Sequence, residues 1–288
     1  MKLLKTLVAA VSLSLLASLA QASGGGYPLD RFPEEKLTDQ AALQNGAKLF
    51  VNYCLNCHGA SSMRFNRLQD LGLTEDQIRR NLIFSGGKVG DPMRIAMAPQ
   101  DAKAWFGALP PDLSVIARAR ASSDGSGADW LYTYLRAYYR DASRPTGWNN
   151  ALFSNVGMPH VLWELQGSRG VTIEDVRAAK DEKTGAPAGL RKTVVEIDAD
   201  GLRVEKTEKV EGGHPHEGAS LTLGKAQGGK LAQAAYDETV ADLVAYLTYM
   251  SDPSAQARTR LGVWVLLFLS VFTVFAWWLN REYWKHVK

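Results

Sequence analysis

Cysteine is scarce in this chain of 288 residues. Only Cys54 and Cys57 are present, and two residues separate them. A zinc site built on cysteine would need further cysteine ligands, and the sequence has none to supply. The two thiols therefore serve a purpose that needs a single CxxC pair, either a redox dithiol or the covalent attachment of a group.

The chain also lacks a strong excess of either charge. It has 33 basic and 30 acidic residues, a net charge of +3. Without residues 1–22 and the segment from Arg258 onward, 26 basic and 29 acidic residues remain, and the net charge is −3. Nucleic-acid binding calls for a basic patch, so we expect no nucleic acid as a partner. A charge of this size supports only a weak preference for a basic soluble partner.

The two cysteines belong to the run Cys54-Leu55-Asn56-Cys57-His58, which has the form CxxCH. This is the attachment signature of a c-type haem, because two thiols one helical turn apart can each bond to one vinyl group of the porphyrin. His58 then supplies one axial ligand to the iron through a neutral imidazole nitrogen. A second CxxCH is absent, which excludes the usual multi-haem designs, and we expect one covalently bound haem c.

The segment before the motif separates the two uses of a CxxC pair. Residues 41–53 (AALQNGAKLFVNY) place their apolar members at helical spacing. A thioredoxin-like dithiol is expected inside a βαβ pattern instead. The spacing therefore favours haem attachment over a redox dithiol.

The amino terminus has the pattern of a secretory signal. Lys2 and Lys5 precede the apolar run of residues 7–16, and Ala20-Gln21-Ala22 follows as a small-residue cleavage site. We expect a signal peptide over residues 1–22 and a mature chain that starts at Ser23. The alternative is a first membrane anchor, but the apolar run is short for a span.

The carboxyl terminus has the pattern of a membrane anchor. Residues 261–279 (LGVWVLLFLSVFTVFAWWL) contain no charge and are long enough to cross a bilayer as a helix. With the signal exporting residues 23–257, the basic tail of residues 280–288 is expected in the cytoplasm. The chain is therefore predicted to be a single-pass protein of the bacterial inner membrane, with its main domain, residues 23–257, in the periplasm.

An electron-transfer haem also needs a sixth ligand. The mature chain offers Met63, Met93, Met97, Met158 and Met250. Met97 and Met158 are the serious candidates, since each lies in a loop stiffened by proline, and Gly157 permits close approach to the ring. Spacing alone favours Met158 slightly. His160 as the ligand, or no sixth ligand, stays open.

Residues 108–120 (ALPPDLSVIARAR) predict a proline-fixed entry to a helix that runs to about Arg120, with Asp112 or Ser114 as its cap. Arg118 and Arg120 are two positions apart and do not share a helix face. We expect one of them to pair with a haem propionate and the other to be solvated.

Four further elements are expected. Thr74-Glu75-Asp76-Gln77 has the form of a capping box, and residues 128–139 form an aromatic core helix of which part is haem wall. Residues 192–197 and 202–206 read as a β-hairpin inside an insertion of about residues 168–230, to which we assign no function. A final amphipathic helix is expected over residues 236–250.

Four features together resemble the cytochrome c1 family, the haem subunit of the cytochrome bc1 complex. They are CLNCH, the run ALPPDLSVIARAR, the loop NVGMP at residues 155–159, and a helix that leads into a C-terminal anchor. The resemblance covers most of the mature chain. It implies a mainly α fold: a cytochrome c-like haem domain with a small β-hairpin insertion and one C-terminal transmembrane helix. It also implies Met158 as the sixth ligand and Arg120 as the propionate partner, with Met97 not a ligand.

The resemblance implies a carrier of single electrons from a Rieske iron-sulfur protein to soluble cytochrome c within a ubiquinol:cytochrome c oxidoreductase. Cytochrome b, the Rieske subunit and membrane lipid around the C-terminal helix are the other implied partners. We find no catalytic acid, base or substrate pocket in the sequence. Two alternatives remain, a tethered cytochrome that serves a terminal oxidase and a haem peroxidase or gas sensor, which needs an open sixth position.

Overall fold

Helices dominate the structure, and one larger sheet is inserted late in the chain. The computed structural model describes residues 27–95, 97–180, 187–210 and 218–285, so the expected signal peptide lies outside the described residues. The helices are α1 Gln40–Leu49, α2 Glu75–Asn81, α3 Pro99–Phe106, α4 Ile116–Ala119, α5 Gly127–Arg136, α6 Trp163–Gln166, α7 Gln233–Ser251 and α8 Ala255–Tyr283. The strands are β1 Ala60–Arg64, β2 Pro92–Met93, β3 Tyr138–Arg140, β4 Trp148–Asn150, β5 Gly167–Ser168, β6 Val171–Lys180, β7 Pro187–Ile197, β8 Arg203–Val210, β9 Gly218–Leu223 and β10 Gln227–Gly228. The expected mainly α fold class is confirmed.

Helices α1 and α7 cross closely and frame the main core. The Asp39 carboxylate caps α1 by accepting hydrogen bonds from its first backbone N–H groups. At the crossing, a Cβ on Gly46 would stand 2.0 Å from the carbonyl oxygen of Asp242, so only glycine allows this approach. The fully buried rings of Phe50 and Tyr246 pack beside it with their centroids 5.6 Å apart. This crossing holds the end of α1, which leads into Cys54, against the core.

The capping box at the start of α2 is confirmed. The Thr74 hydroxyl accepts a hydrogen bond from the Gln77 backbone N–H at 3.3 Å. The Gln77 side chain in turn accepts one from the Thr74 backbone N–H at 2.8 Å. Both groups satisfy backbone donors that have no partner within the helix.

The aromatic helix predicted over residues 128–139 is shorter than expected. Helix α5 ends at Arg136, and the chain continues as β3, which pairs antiparallel with β4. The Asn150 side chain of β4 donates a hydrogen bond to the Tyr134 carbonyl oxygen at 2.8 Å. This bond satisfies a carbonyl in the last turn of the helix, so α5 stops where the β pair begins.

The helix predicted to run to about Arg120 is also shorter than expected. Helix α4 covers only Ile116–Ala119, and no side chain caps it. The Asp112 carboxylate accepts hydrogen bonds from the backbone N–H groups of Ser61 and Ser114, each at 2.8 Å. The Ser114 hydroxyl accepts one from the Ser62 N–H at 3.0 Å. The two expected caps therefore fasten the proline segment to β1 and do not cap the helix.

The predicted β-hairpin is confirmed as β7 and β8, which pair from Ile197 opposite Arg203 outward. It forms half of a four-stranded antiparallel sheet with the order β8-β7-β6-β9. A small second core attaches this sheet to the helical domain, through Val171, Val195 and Ile197 on the sheet and Tyr139 on β3. The sheet thus packs on the side of β3.

Helix α8 contains the whole predicted span of residues 261–279 and none of its residues is buried. It is the one helix among the described residues that is long and apolar enough to cross a membrane. A helix that is apolar on every face is driven into a core or a bilayer, and here no core covers it. The sequence expectation of a C-terminal apolar helix is met.

Candidate haem-binding site

A large apolar cavity lies between α4, α5, α7 and the loops that join them. Its empty space is about 1250 Å³ with the open mouth included. The five residues predicted as the site all line it: Cys54, Cys57, His58, Arg120 and Met158. The fold therefore brings together groups that lie up to 104 positions apart in the sequence.

The two cysteines follow α1 at the point where the helix widens. Residues Phe50–Cys54 form a π-helical turn, and the chain closes with hydrogen bonds from the N–H groups of Cys57 and His58 to the Cys54 carbonyl oxygen, at 3.0 and 2.8 Å. No disulfide joins the two cysteines. This tight turn directs both thiols and the His58 ring to one cavity.

The thiols have the acidity of buried groups. Burial, with a smaller contribution from Cys57, raises the pKa of Cys54 to about 12, and burial also raises the pKa of Cys57. Redox-active dithiols have a low pKa that provides a thiolate near neutral pH. The site therefore does not resemble a thioredoxin-type centre, and the redox-dithiol interpretation loses its support.

His58 is held in one tautomer. Its Nδ1 donates a hydrogen bond to the Pro111 carbonyl oxygen at 2.8 Å, so Nε2 carries the lone pair of the neutral ring. Burial lowers the pKa of His58, against smaller opposing effects of the Pro111 carbonyl and the Asp112 carboxylate. A neutral imidazole with a backbone partner on one nitrogen is the usual arrangement of a metal-ligating histidine. No sequence motif predicts this carbonyl partner, which lies 53 positions away.

Met158 reaches the cavity from the loop of residues 155–159, which packs closely against the end of α3. Asn155 has a positive φ of 61°, and a Cβ on Gly157 would stand 3.4 Å from the Phe106 carbonyl oxygen. The Met158 sulfur accepts a hydrogen bond from the Tyr134 hydroxyl at 3.5 Å. Tyr134 lines the cavity from α5, on the helix expected to give part of the wall.

The other ligand candidates lie elsewhere. All five methionines after Met1 fall in the described ranges, and of these only Met158 lines the cavity. His160 is 2% exposed and stacks on Tyr138, with ring centroids 4.7 Å apart. Burial lowers the pKa of His160 to about 3, so the ring stays neutral in the core.

The two arginines have different surroundings. Arg120 lines the cavity with its guanidinium carbon 4.3 Å from the centroid of the Trp130 ring, a cation–π contact. It forms no ion pair with a carboxylate within the described ranges. Arg118 is 64% exposed and pairs with Asp252 at 3.2 Å. Arg120 is thus the arginine that presents an unpaired charge to the cavity.

Comparison with known proteins finds relatives over the whole length of the chain. A sequence model described as the Cytochrome C1 family matches residues 34–185 and 227–287, which leaves out most of the inserted sheet. An ammonia monooxygenase gamma subunit of Nitrosomonas europaea is 41% identical over 100% of both chains. Cytochrome c1 of Allochromatium vinosum is 40% identical over 99% of this chain and 100% of its own. Cytochrome c1 of Rhodospirillum rubrum is 26% identical over 99% of this chain and 97% of its own.

The family model covers far more than half of the chain, and a relative of 40% identity spans nearly all of it. The resemblance noted in the sequence is confirmed, and so are the expectations of haem c and of electron transport. The chain belongs to the cytochrome c1 family, whose members carry covalently bound haem c and transfer electrons in the cytochrome bc1 complex beside cytochrome b and the Rieske protein.

Proposed function

We propose that this chain takes single electrons from the Rieske iron-sulfur protein and passes them to a soluble cytochrome c through one haem held in the cavity. Cys54 and Cys57 form the thioether bonds, His58 and Met158 are the axial iron ligands, and Arg120 pairs with a propionate. The carrying observation is that Met158 alone among the mature methionines shares a cavity with the CxxCH motif. The haem, when bound, supplies the one-electron redox centre.

The residues that line the cavity fit a covalently bound haem. Cys54 and Cys57 would hold the group through two thioether bonds. A thiol adds across a vinyl group with sulfur bonding to one carbon and the hydrogen passing to the other, so the attachment would consume no oxidant or reductant. The Nε2 lone pair of His58 is free because Nδ1 is committed to Pro111. The remaining wall is mainly apolar, which excludes water and favours the less charged, reduced iron.

Two axial residues in one cavity argue against the enzyme and sensor alternatives. A haem peroxidase or gas sensor needs an open or displaceable sixth position. Met158 lines the cavity. The competing candidate His160 does not line it and is stacked on Tyr138 in the core. The electron-carrier role is therefore the better supported.

We place residues 23–257 in the periplasm, residues 261–279 in the bacterial inner membrane in contact with lipid, and residues 280–288 in the cytoplasm, after removal of residues 1–22. The support is an apolar helix with no buried residue and a basic tail that includes Arg281 and Lys285. The net charge of −3 on the exported part is compatible with a basic soluble acceptor.

The optical spectrum of the full-length, detergent-extracted protein tests the ligand assignment. Wild type is expected to show a low-spin c-type haem with the weak thioether-to-iron band at the red end of the spectrum, and Met158→Leu is expected to lose that band. Met93→Leu is the matched control, since Met93 is fully buried and its sulfur accepts a hydrogen bond from Tyr246. A band that survives Met158→Leu would assign the iron to another ligand.

Purification of the extracted complex tests the partners. Cytochrome b and a Rieske protein are expected to copurify with the chain. Copurification with a terminal oxidase would favour the tethered-cytochrome alternative. Copurification with ammonia monooxygenase subunits would give this chain the role that the name of the Nitrosomonas europaea relative states.

A further inference from the structure

A short chain of hydroxyl groups ends on the Met158 sulfur. The Tyr138 hydroxyl donates a hydrogen bond to the Tyr134 hydroxyl at 2.8 Å, and the Tyr134 hydroxyl donates one to the Met158 sulfur at 3.5 Å. Tyr138 is fully buried and Tyr134 is 8% exposed. Two successive donors therefore aim at one thioether in an apolar environment.

The packing of the rings holds both hydroxyl groups in place. Tyr138 stacks on His160 at an interplanar angle of 6°, and Tyr134 stacks on Trp130 at 14° with centroids 4.8 Å apart. The Tyr138 hydroxyl lies 2.8 Å from the Tyr134 oxygen and 3.4 Å from the Met158 carbonyl oxygen. The shorter contact places its proton on Tyr134, whose own proton is then left for the sulfur. A phenol hydroxyl is protonated at neutral pH, so both groups are hydrogen-bond donors. Hydrogen bonds in such a chain strengthen one another.

We infer that Tyr134 is a positioning residue that sets the reduction potential of the haem through the Met158 sulfur. The inference rests on the proposed ligation by Met158. A thioether sulfur has two lone pairs, and a hydrogen bond to one of them draws electron density from the other. A weaker sulfur donor stabilises oxidised iron less, so the hydrogen bond raises the reduction potential.

The protein contains a second tyrosine–methionine hydrogen bond, which does not face the cavity. The Tyr246 hydroxyl donates to the Met93 sulfur at 3.7 Å, and both residues are fully buried. Neither lines the cavity. A hydroxyl-to-sulfur bond is therefore also used for packing in this protein, and Tyr246→Phe separates the packing contribution from an effect on the iron.

Redox titration of the full-length haem protein, wild type and three variants, tests the inference. In Tyr134→Phe the equilibrium constant for reduction is expected to fall about three- to tenfold, which for one electron is about 30 to 60 mV, while the ring stack on Trp130 is kept. The thioether-to-iron band is expected to remain and to shift. Tyr138→Phe is expected to give a smaller fall in the same direction, and Tyr246→Phe none.

Three results would overturn the inference. The first is an unchanged or raised potential in Tyr134→Phe. The second is a fall in Tyr246→Phe as large as that in Tyr134→Phe, which would make the effect one of packing. The third is a thioether-to-iron band that survives Met158→Leu, which overturns the ligand assignment as well. If Met158→Leu loses the band and Tyr134→Phe has no effect, only the inference fails.

Discussion

Arg118 and Arg120 lie two positions apart and meet different environments. Arg120 faces the cavity above Trp130, whereas Arg118 is exposed and paired with Asp252. A cation beside the haem favours the reduced state, which carries one positive charge fewer than the oxidised state. We predict that Arg120→Gln lowers the equilibrium constant for reduction about three- to tenfold, as measured by redox titration.

Arg118→Gln is the matched control for that change, because it removes the same charge from an exposed position two residues away. We expect its effect on the equilibrium constant to be much smaller, since solvent screens an exposed charge. Equal effects of the two substitutions would mean that only long-range charge matters. The special position of Arg120 in the cavity would then have no functional meaning.

At the scale of single residues, the sequence predicted those whose role follows from a local motif. CLNCH identified Cys54, Cys57 and His58, and the family resemblance selected Met158, which the structure brings into the same cavity. The carbonyl of Pro111 and the hydroxyl of Tyr134 had no such motif. Each acts through a contact between distant segments, and a single sequence does not record which segments meet.

Among the elements, the crossing of α1 and α7 depends on one glycine. A methyl group on Gly46 would meet the Asp242 carbonyl oxygen at 2.0 Å and the Tyr246 Cβ at 2.7 Å, and neither neighbour is a flexible side-chain end. Gly46→Ala is therefore expected to destabilise the protein by about 3 kcal/mol or more, although alanine favours a helix. Denaturant unfolding followed by circular dichroism measures this.

Lys48→Ala provides the control on the same helix, because Lys48 is exposed. Its effect on the free energy of unfolding is expected to stay within about 0.5 kcal/mol. If Gly46→Ala were as mild as Lys48→Ala, the two helices would have to separate at little cost. The close crossing would then not be a source of stability.

The elements also show where periodicity is a reliable guide and where it is not. Helices α1, α7 and α8 were predicted because each has a long apolar pattern, and the β7–β8 hairpin because strand residues flank a turn. Strands β6 and β9 and the early end of α5 were missed. These features depend on neighbours in space. The end of α5, for example, depends on Asn150 of β4, whose side chain donates a hydrogen bond to the last turn of the helix.

The four-stranded sheet is an element that the cavity does not use. No described residue of β6 to β9 lines the cavity, and the Gly224 N–H donates to the Gly170 carbonyl oxygen at 3.0 Å, so the two ends of the sheet segment are adjacent. We predict that replacing residues 171–223 with a short turn leaves the haem spectrum unchanged. The midpoint of thermal unfolding is expected to fall, because Tyr139 loses the second core. A changed spectrum would show that the sheet supports the cavity.

In the whole molecule, one carboxylate joins the haem domain to the anchor helix. Asp252 lies between α7 and α8 and pairs with Arg118 of α4 at 3.2 Å and with Arg258 of α8 at 2.6 Å. The Ser251 hydroxyl next to it accepts a hydrogen bond from the Ala117 N–H. The same short segment therefore contacts the cavity helix α4 and the first turn of α8.

We predict that Asp252→Asn widens the range of haem orientations relative to the membrane plane, as measured by electron paramagnetic resonance of the ferric protein in oriented bilayers. Arg258, with smaller contributions from Ser254 and Arg118, lowers the pKa of Asp252 to about 2. A lowered pKa means that the ion pairs are complete above the ordinary pKa of an aspartate and are lost as the pH falls through about 2. The orientation of wild type should therefore be constant from about pH 4 to pH 7.

Asp76→Asn is the matched control for this prediction, because Asp76 forms exposed pairs with Arg79 and Arg80 at 2.9 and 2.8 Å and makes no hydrogen bond or ion pair with α7 or α8 among the described residues. Its spread of orientations should equal that of wild type. The arginine partners of Asp252 are mostly exposed, and ion pairs of exposed charges contribute little to stability, so both variants are expected to unfold at nearly the wild-type temperature. The two measurements together separate an effect on orientation from an effect on stability. An equal spread of orientations in all three proteins would contradict the prediction, because helix packing alone would then determine the direction of α8.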